Sequence, residues 1–221
     1  MTIHDNVQSL LGSLPQHVKL EAAAKTQSLD AVKQAIQAGV HVIGENYVQE
    51  MVPVYKAFSG HIPIHFIGHL QTNKVKTAVE HCDMIETVDS MKLAKEISKR
   101  SRQLDKIMPI LIEINSGREQ QKHGVFPEEA DALIREVSLL PNLSIQGLMT
   151  MGPWSEDRSL IREAFQTTKS LFDTMAAKDI PNVKMKILSM GMTHSYPLAI
   201  EEGANMIRIG TKIFGERVYH S

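Results

Sequence analysis

Residues 18–46 read VKLEAAAKTQSLDAVKQAIQAGVHVIGEN and contain one complete strand–helix–strand unit. The apolar run Val18–Ala24 is typical of a buried strand. Ser28 is suited to cap a helix over Leu29–Ala38, because its hydroxyl can accept a backbone N–H of the first turn. A second apolar run, His41–Ile43, follows that helix. Two strands joined through a helix favour parallel pairing within one sheet.

The same alternation of apolar runs and helical patterns continues along the chain. Six more apolar runs predict strands at Ile62–Ile67, Met84–Val88, Met108–Ile114, Leu143–Met149, Lys184–Leu188 and Asn205–Ile209. Further helical patterns cover Tyr47–Phe58, Asn73–His81, Ser90–Gln103, Glu128–Leu140, Arg158–Ala177 and Pro197–Glu202. Pro53 should kink or divide the first of these helices.

Eight strand–helix alternations in a chain of this length predict a (β/α)8 TIM barrel. The main alternative is a doubly wound open sheet. That fold usually has fewer strands, and no GxGxxG motif opens the first unit here. No low-complexity linker interrupts the chain, so we expect one domain over residues 1–221.

Composition and charge exclude several classes of protein. The 24 basic and 25 acidic residues leave a net charge of −1, without the basic excess typical of nucleic-acid binding. The single cysteine, Cys82, cannot form an intramolecular disulfide, which favours a reducing compartment. No signal peptide or membrane-spanning run is present, so we expect a cytoplasmic protein with no membrane partner.

Polar residues follow several of the predicted strands, on the face where barrel active sites are built. Lys25 stands at the end of a strongly apolar run, and Asn46 follows the next strand. Burial could lower the pKa of Lys25 and prepare its amine for a Schiff base. Alternatively, the side chain could simply extend to a solvated barrel mouth. Chemistry alone leaves both interpretations open.

The last two predicted strands carry residues suited to phosphate binding. Ser189-Met190-Gly191-Met192 follows the seventh strand and Gly210-Thr211 follows the eighth, where barrels commonly bind phosphate. Arg208 lies inside the eighth apolar run and needs a partner, either a structural carboxylate or a ligand atom. A lysine, a phosphate cradle and an arginine together predict a pyridoxal phosphate site.

The motifs at these positions resemble the YggS/PROSC family of pyridoxal phosphate homeostasis proteins. The resemblance runs from about Val18 to Arg217. Its blocks are Ala24-Lys25-Thr26, GENYVQE at 44–50, HFIGHLQTNK at 65–74, EIN at 113–115 with KHG at 122–124, GLMTMG at 147–152, SMGM at 189–192 and RIGTKIFGER at 208–217. This order and spacing are highly specific.

The resemblance implies a barrel of the alanine racemase N-terminal type, with an extra N-terminal helix, that binds pyridoxal 5′-phosphate. Lys25 would hold the cofactor as a Schiff base and Asn46 would lie beside its ring. Arg208 would face the pyridine nitrogen. The phosphate ligands would be Ser189, Gly210 and Thr211, with backbone around Met190, Gly191 and Met192. The implied role is vitamin B6 and amino acid homeostasis, without established catalytic turnover.

One departure from the family pattern lies beside the phosphate loop. The family usually continues after SMGM with Ser, a variable residue and Asp, whereas this chain has Thr193-His194-Ser195. Thr193 keeps a hydroxyl, but Ser195 lacks the carboxylate. The ordering of this loop is therefore open to question, although no residue assigned to direct cofactor contact is lost.

Three functions from different classes agree with these patterns: a pyridoxal phosphate carrier, a low-activity amino acid racemase, and a cofactor-free phosphosugar isomerase. The isomerase would need a strand-end Glu/His pair, which Glu86 and His65 do not clearly supply. Racemases of the related fold take a catalytic tyrosine from a separate β-domain, and only six residues follow Gly215. We therefore expect a monomeric carrier without catalytic residues, with apo-enzymes as possible recipients. No histidine spacing indicates a metal.

Overall fold

A computed structural model describes residues 2–216 of the chain; Met1 and residues 217–221 lie outside it, and with them Arg217 at the end of the last motif. The strands are β1 (Lys19–Ala23), β2 (Val42–Glu45), β3 (Ile64–Phe66), β4 (Met84–Val88), β5 (Met108–Glu113), β6 (Leu143–Thr150), β7 (Val183–Met190) and β8 (Met206–Ile209).

The eight strands form a closed parallel barrel in sequence order, with β8 pairing back to β1. This confirms the predicted TIM barrel and excludes the open sheet. Closure aligns Glu21 on β1 with Arg208 on β8 and Ala23 on β1 with Gly44 on β2. The carboxyl ends of β7, β8, β1 and β2 are therefore neighbours around one part of the rim.

Nine α-helices occur in the described part of the chain: α1 (Ile3–Ser13), α2 (Leu29–Gln37), α3 (Val48–Phe58), α4 (Val75–Glu80), α5 (Met91–Gln103), α6 (Pro127–Ser138), α7 (Arg158–Ala176), α8 (Tyr196–Glu201) and α9 (Thr211–Phe214). Helix α1 is the expected extra helix, and Thr2 and Asp5 close a capping box at its start. None of these helices combines the length and apolar character needed to cross a bilayer.

Three local features refine the sequence-based expectation. Pro53 does not divide helix α3, which leaves a kink as the expected effect of this proline. The pattern over Asn73–His81 begins as a 3-10 turn, Thr72–Lys74, before α4. Helix α9 was not predicted, because four residues are too few to show helical periodicity.

The barrel has an apolar outer layer and a mixed interior. Most buried apolar side chains pack between the strands and the helices around them. Inside the barrel, Met84, Leu111 and Met149 form a separate apolar cluster with Ile187. Charged side chains of β1, β4 and β8 are also buried, and the contacts between them lie across the barrel interior. The cofactor residues predicted from the sequence border this charged layer.

Candidate functional site

The predicted site residues gather at the ends of four neighbouring strands. A methyl group at Gly210 would lie 3.2 Å from the carbonyl oxygen of Ala23, two residues before Lys25. The backbone N–H of Arg208 donates to the Gly191 carbonyl, with 3.0 Å between the atoms. Asn46 follows β2, the neighbour of β1. The fold thus brings together residues that are up to 186 positions apart (25 to 211) in the chain.

Lys25 is partly buried in the turn after β1. Its Nζ lies 4.9 Å from the centre of the Tyr47 ring, a distance typical of a cation–π contact. The backbone N–H of Thr26 donates to Glu50 Oε2 at 2.9 Å, which ties this turn to α3. The amine is therefore held at the barrel mouth by an aromatic face while its backbone is fixed from the neighbouring helix.

Arg208 is buried in the barrel interior, and its guanidinium is bound by two neutral oxygens. Nη1 donates to Ser189 Oγ at 2.6 Å, and Nη2 donates to the Thr150 carbonyl at 2.7 Å. Ser189 in turn donates to Glu86 Oε2 at 2.8 Å. Within the described residues, Arg208 is thus linked to a structural carboxylate, the first of the two partners expected from the sequence, through the serine hydroxyl.

Glu86 continues this network to two further residues in the barrel interior. Its Oε1 lies 2.7 Å from His65 Nδ1, and the same nitrogen is 3.6 Å from Glu21 Oε1. All three side chains are buried. Within residues 2–216, neither carboxyl oxygen of Glu21 has a hydrogen-bond partner.

The pKa values of the two glutamates in this network shift in opposite directions. Burial, followed by the negative charge of Glu86, raises the pKa of Glu21 well above its usual range. Burial alone would also raise the pKa of Glu86, but the hydrogen bond and charge of His65, with the charge of Arg208, outweigh it and lower that pKa. Glu21 is therefore the member of the pair that holds a proton more readily, and Glu86 is the one favoured as a carboxylate beside the Arg208 charge.

The loop after β7 is ordered by its own hydrogen bonds. The backbone N–H of Met192 donates to Ser195 Oγ at 3.1 Å, so the serine hydroxyl replaces the missing carboxylate as a loop-ordering acceptor. Gly191 has φ +95°, and a methyl group there would lie 2.6 Å from Ala199 Cβ. Only glycine fits this turn without strain.

Comparison with known proteins identifies the family of this chain. The family model "Alanine racemase, N-terminal domain" matches residues 2–218. The pyridoxal phosphate homeostasis protein of Aquifex aeolicus is 41% identical over 91% of this chain and 88% of its own. The human protein of that name is 35% identical, over 98% and 85%. This chain belongs to the pyridoxal phosphate homeostasis protein family.

Solved structures confirm the barrel expected for this family. PipY of Synechococcus elongatus, in a structure with PLP bound, has a TM-score of 0.87 and 30% identity, over 97% of this chain and 100% of that one. An alanine racemase of Clostridium difficile has a TM-score of 0.83 at 16% identity, over 99% of this chain and 56% of that one. The racemase likeness shows the fold alone.

Sequence reasoning missed most of the charged interior of this family member. Glu21 lies within a predicted apolar run, and the positions of Glu86 and His65 in the sequence do not clearly indicate a strand-end pair. A usable signal was present: Glu21, Glu86 and Arg208 each stand inside a largely apolar strand, β1, β4 and β8 respectively. A charge inside a buried strand requires a partner, and here the partners come from other strands.

Proposed function

We propose that this chain binds pyridoxal 5′-phosphate at the mouth of its barrel and serves vitamin B6 and amino acid homeostasis as a carrier, without catalytic turnover. Family membership supports the proposal, as does the PLP-bound structure of PipY. The observation that carries it is the position of Lys25, a primary amine two residues beyond the end of β1, the strand that pairs with β8 and its buried Arg208.

The residues around Lys25 fit the cofactor's chemical groups. Lys25 would hold the cofactor aldehyde as a Schiff base, with Asn46 beside the ring. Arg208 would face the pyridine nitrogen; its guanidinium is anchored by Ser189 and Thr150, so its orientation is set before any ligand binds. A guanidinium does not release a proton, so the nitrogen would stay unprotonated and the ring would be a weak electron sink. Racemases of the related fold tolerate this state, so the arginine alone does not exclude turnover.

The phosphate would lie against Gly210 and Thr211 and the loop of Met190, Gly191 and Met192. Ser189 is proposed as a further phosphate ligand from its motif, but its hydroxyl already donates to Glu86 and accepts from Arg208. A phosphate contact from this hydroxyl would require it to give up the bond to Glu86. Backbone donors of the loop and Thr211 therefore carry most of the proposed phosphate binding.

The cellular role of the chain is likewise proposed from its family membership. We infer that the chain acts in the cytoplasm as a monomer, that residues 1–221 form one domain, and that apo-enzymes receive the cofactor. Chemical cross-linking of the loaded chain to an apo-enzyme, followed by transfer of the cofactor, would test the last point.

The visible spectrum of the purified full chain tests the cofactor and its anchor together. We expect the absorption band of a Schiff base, lost in Lys25→Ala and kept in Lys33→Ala, an exposed lysine on α2. Borohydride reduction should fix the cofactor to the peptide that contains Lys25. A principal adduct on Lys74 or Lys122 would refute the assignment.

Exchange of the α-proton of alanine or serine tests the absence of turnover. A carrier should exchange these protons far more slowly than an enzyme with a typical turnover of about ten per second. Exchange at that rate by the loaded chain would instead support the alternative, a pyridoxal phosphate-dependent racemase. Cofactor binding on Lys25 would remain valid in either case.

A further inference from the structure

A second group of polar side chains lies on the loops that follow β3, β4 and β5, away from the strands that carry the proposed cofactor site. His69 lies between β3 and the following 3-10 turn, Asp89 directly follows β4, and His123 lies in the loop between β5 and α6. One ring nitrogen of each histidine and one carboxylate oxygen of Asp89 all lie within 4.8 Å of one another.

The two imidazoles of this group are parallel and in contact. Their ring centres are 3.6 Å apart and their planes differ by 10°. His123 Nδ1 lies 4.0 Å from Asp89 Oδ2. Two ring nitrogens thus lie close to one carboxylate. The three side chains come from separate loops, so no local sequence constraint brings them together.

The backbone beside each of the two histidines is fixed by a hydrogen bond from a neighbouring side chain. Thr87 Oγ1, on β4, donates to the Gly68 carbonyl at 2.6 Å, next to His69. Asn115 Nδ2 donates to the Lys122 carbonyl at 3.3 Å, next to His123. Both histidines are exposed, so their side chains can rotate while their backbones stay in place.

We propose that His69, Asp89 and His123 bind a divalent transition metal ion of the zinc type. Two imidazoles and a carboxylate are a ligand set that zinc accepts, at bond lengths of about 2.0–2.2 Å. Those lengths place neighbouring ligand atoms of a tetrahedral site about 3.4 Å apart. Side-chain rotation closes the observed separations to that spacing, and the ion joins three loops of the rim.

The fourth coordination position would face solvent. A cleft of about 400 Å³ adjoins the cluster, and its lining includes His69 and Asp89 together with Gln71, Asn73, Ser90 and Lys92. Three protein ligands with an open position describe a site that keeps a water molecule or a small anionic ligand on the ion. Sequence spacing could not indicate this site, because its ligands come from three loops and share no local motif.

Calorimetric titration of the untagged full chain with zinc chloride tests the proposal. We expect saturable binding of one ion per chain, weakened at least about tenfold in His69→Gln, in Asp89→Asn and in His123→Gln. His61→Gln, which replaces an exposed histidine away from the cluster, should bind zinc as the wild-type chain does. Circular dichroism of each variant checks that it is folded.

Several outcomes would overturn the site. They are absence of saturable zinc binding, unchanged affinity in the cluster variants, and an equal loss of affinity in His61→Gln. Lys25→Ala separates this proposal from the cofactor proposal: it should lose the visible band yet bind zinc normally. Loss of zinc binding in Lys25→Ala would place the ion on the cofactor or its anchor and would refute the cluster.

Discussion

Glu86 is the carboxylate that compensates the positive charge in the barrel interior. It accepts from Ser189, contacts His65, and is the carboxylate linked to Arg208 through the serine hydroxyl. Glu21 lies in the same interior, but within residues 2–216 its carboxyl oxygens have no hydrogen-bond partner, and burial raises its pKa. The two glutamates share a residue type and complete burial, yet they differ in role, because among the described residues only Glu86 has hydrogen-bond donors.

Isosteric substitution should distinguish the two glutamates. We expect Glu86→Gln to lower the free energy of unfolding by about 3 kcal/mol, because it leaves the buried Arg208 charge without a compensating carboxylate. Glu21→Gln replaces one neutral group by another and should cost less than about 1 kcal/mol. Urea denaturation measures both values. An equal cost, or a larger cost for Glu21→Gln, would contradict the assigned protonation states.

The loop between β7 and α8 stays ordered although its sequence departs from the usual family motif. The chain has Ser195 where the family usually has Asp, and the serine hydroxyl accepts the backbone N–H of Met192. The backbone N–H of Tyr196 also donates to the Met192 carbonyl, at 2.8 Å. The loop beside the proposed phosphate site therefore remains closed on itself without a carboxylate.

Removal of the Ser195 hydroxyl should loosen this loop. Ser195→Ala is expected to cost about 1 kcal/mol of stability, the typical value of one hydrogen bond, and to raise the dissociation constant for pyridoxal phosphate. Ser195→Asp retains an acceptor and should keep the loop ordered. Ser170→Ala, an exposed serine on α7, is the matched control. Denaturation and cofactor titration measure the two effects, and wild-type values for Ser195→Ala would contradict the role of the hydroxyl.

Across the whole molecule, buried carboxyl groups make stability depend on pH. Burial, with a smaller contribution from Glu50, raises the pKa of Glu45 to about 8. Burial, with a smaller contribution from Asp89, raises the pKa of Glu113 to about 7. The folded state therefore binds these protons more tightly than the unfolded state does. The resulting stability is fully present below the ordinary carboxyl pKa and is lost as the pH rises through these values.

Glu45→Gln should remove part of this dependence. Between about pH 5 and about pH 8, Glu45 lowers the wild-type free energy of unfolding by up to about 1.4 kcal/mol per pH unit. We expect a flatter profile for Glu45→Gln, with its largest advantage over the wild type near pH 8. Glu163→Gln, on the exposed surface of α7, should follow the wild-type profile. Urea denaturation across this pH range would contradict the prediction if the Glu45→Gln and wild-type profiles were parallel.

Local sequence patterns were sufficient to predict the barrel and the proposed cofactor residues. Hydrophobic periodicity predicted the strand–helix alternation, and the order of the motifs indicated the family. Both are patterns along the chain, so neither requires the contacts between distant residues to be known. Lys25, Arg208 and the loop after β7 were found in this way, since each belongs to a short motif at the end of a strand.

Which charged side chains contact each other could be read only from the folded barrel. Glu21, His65 and Glu86 lie on three different strands, and His69, Asp89 and His123 lie on three different loops. Their contacts depend on strand register and barrel closure, which set the faces that point inward and the loops that become neighbours. The raised pKa of Glu21 follows from those distances, because desolvation and nearby charges act through space and not along the chain. The proposed metal site follows from them because its three ligands meet only in the folded barrel.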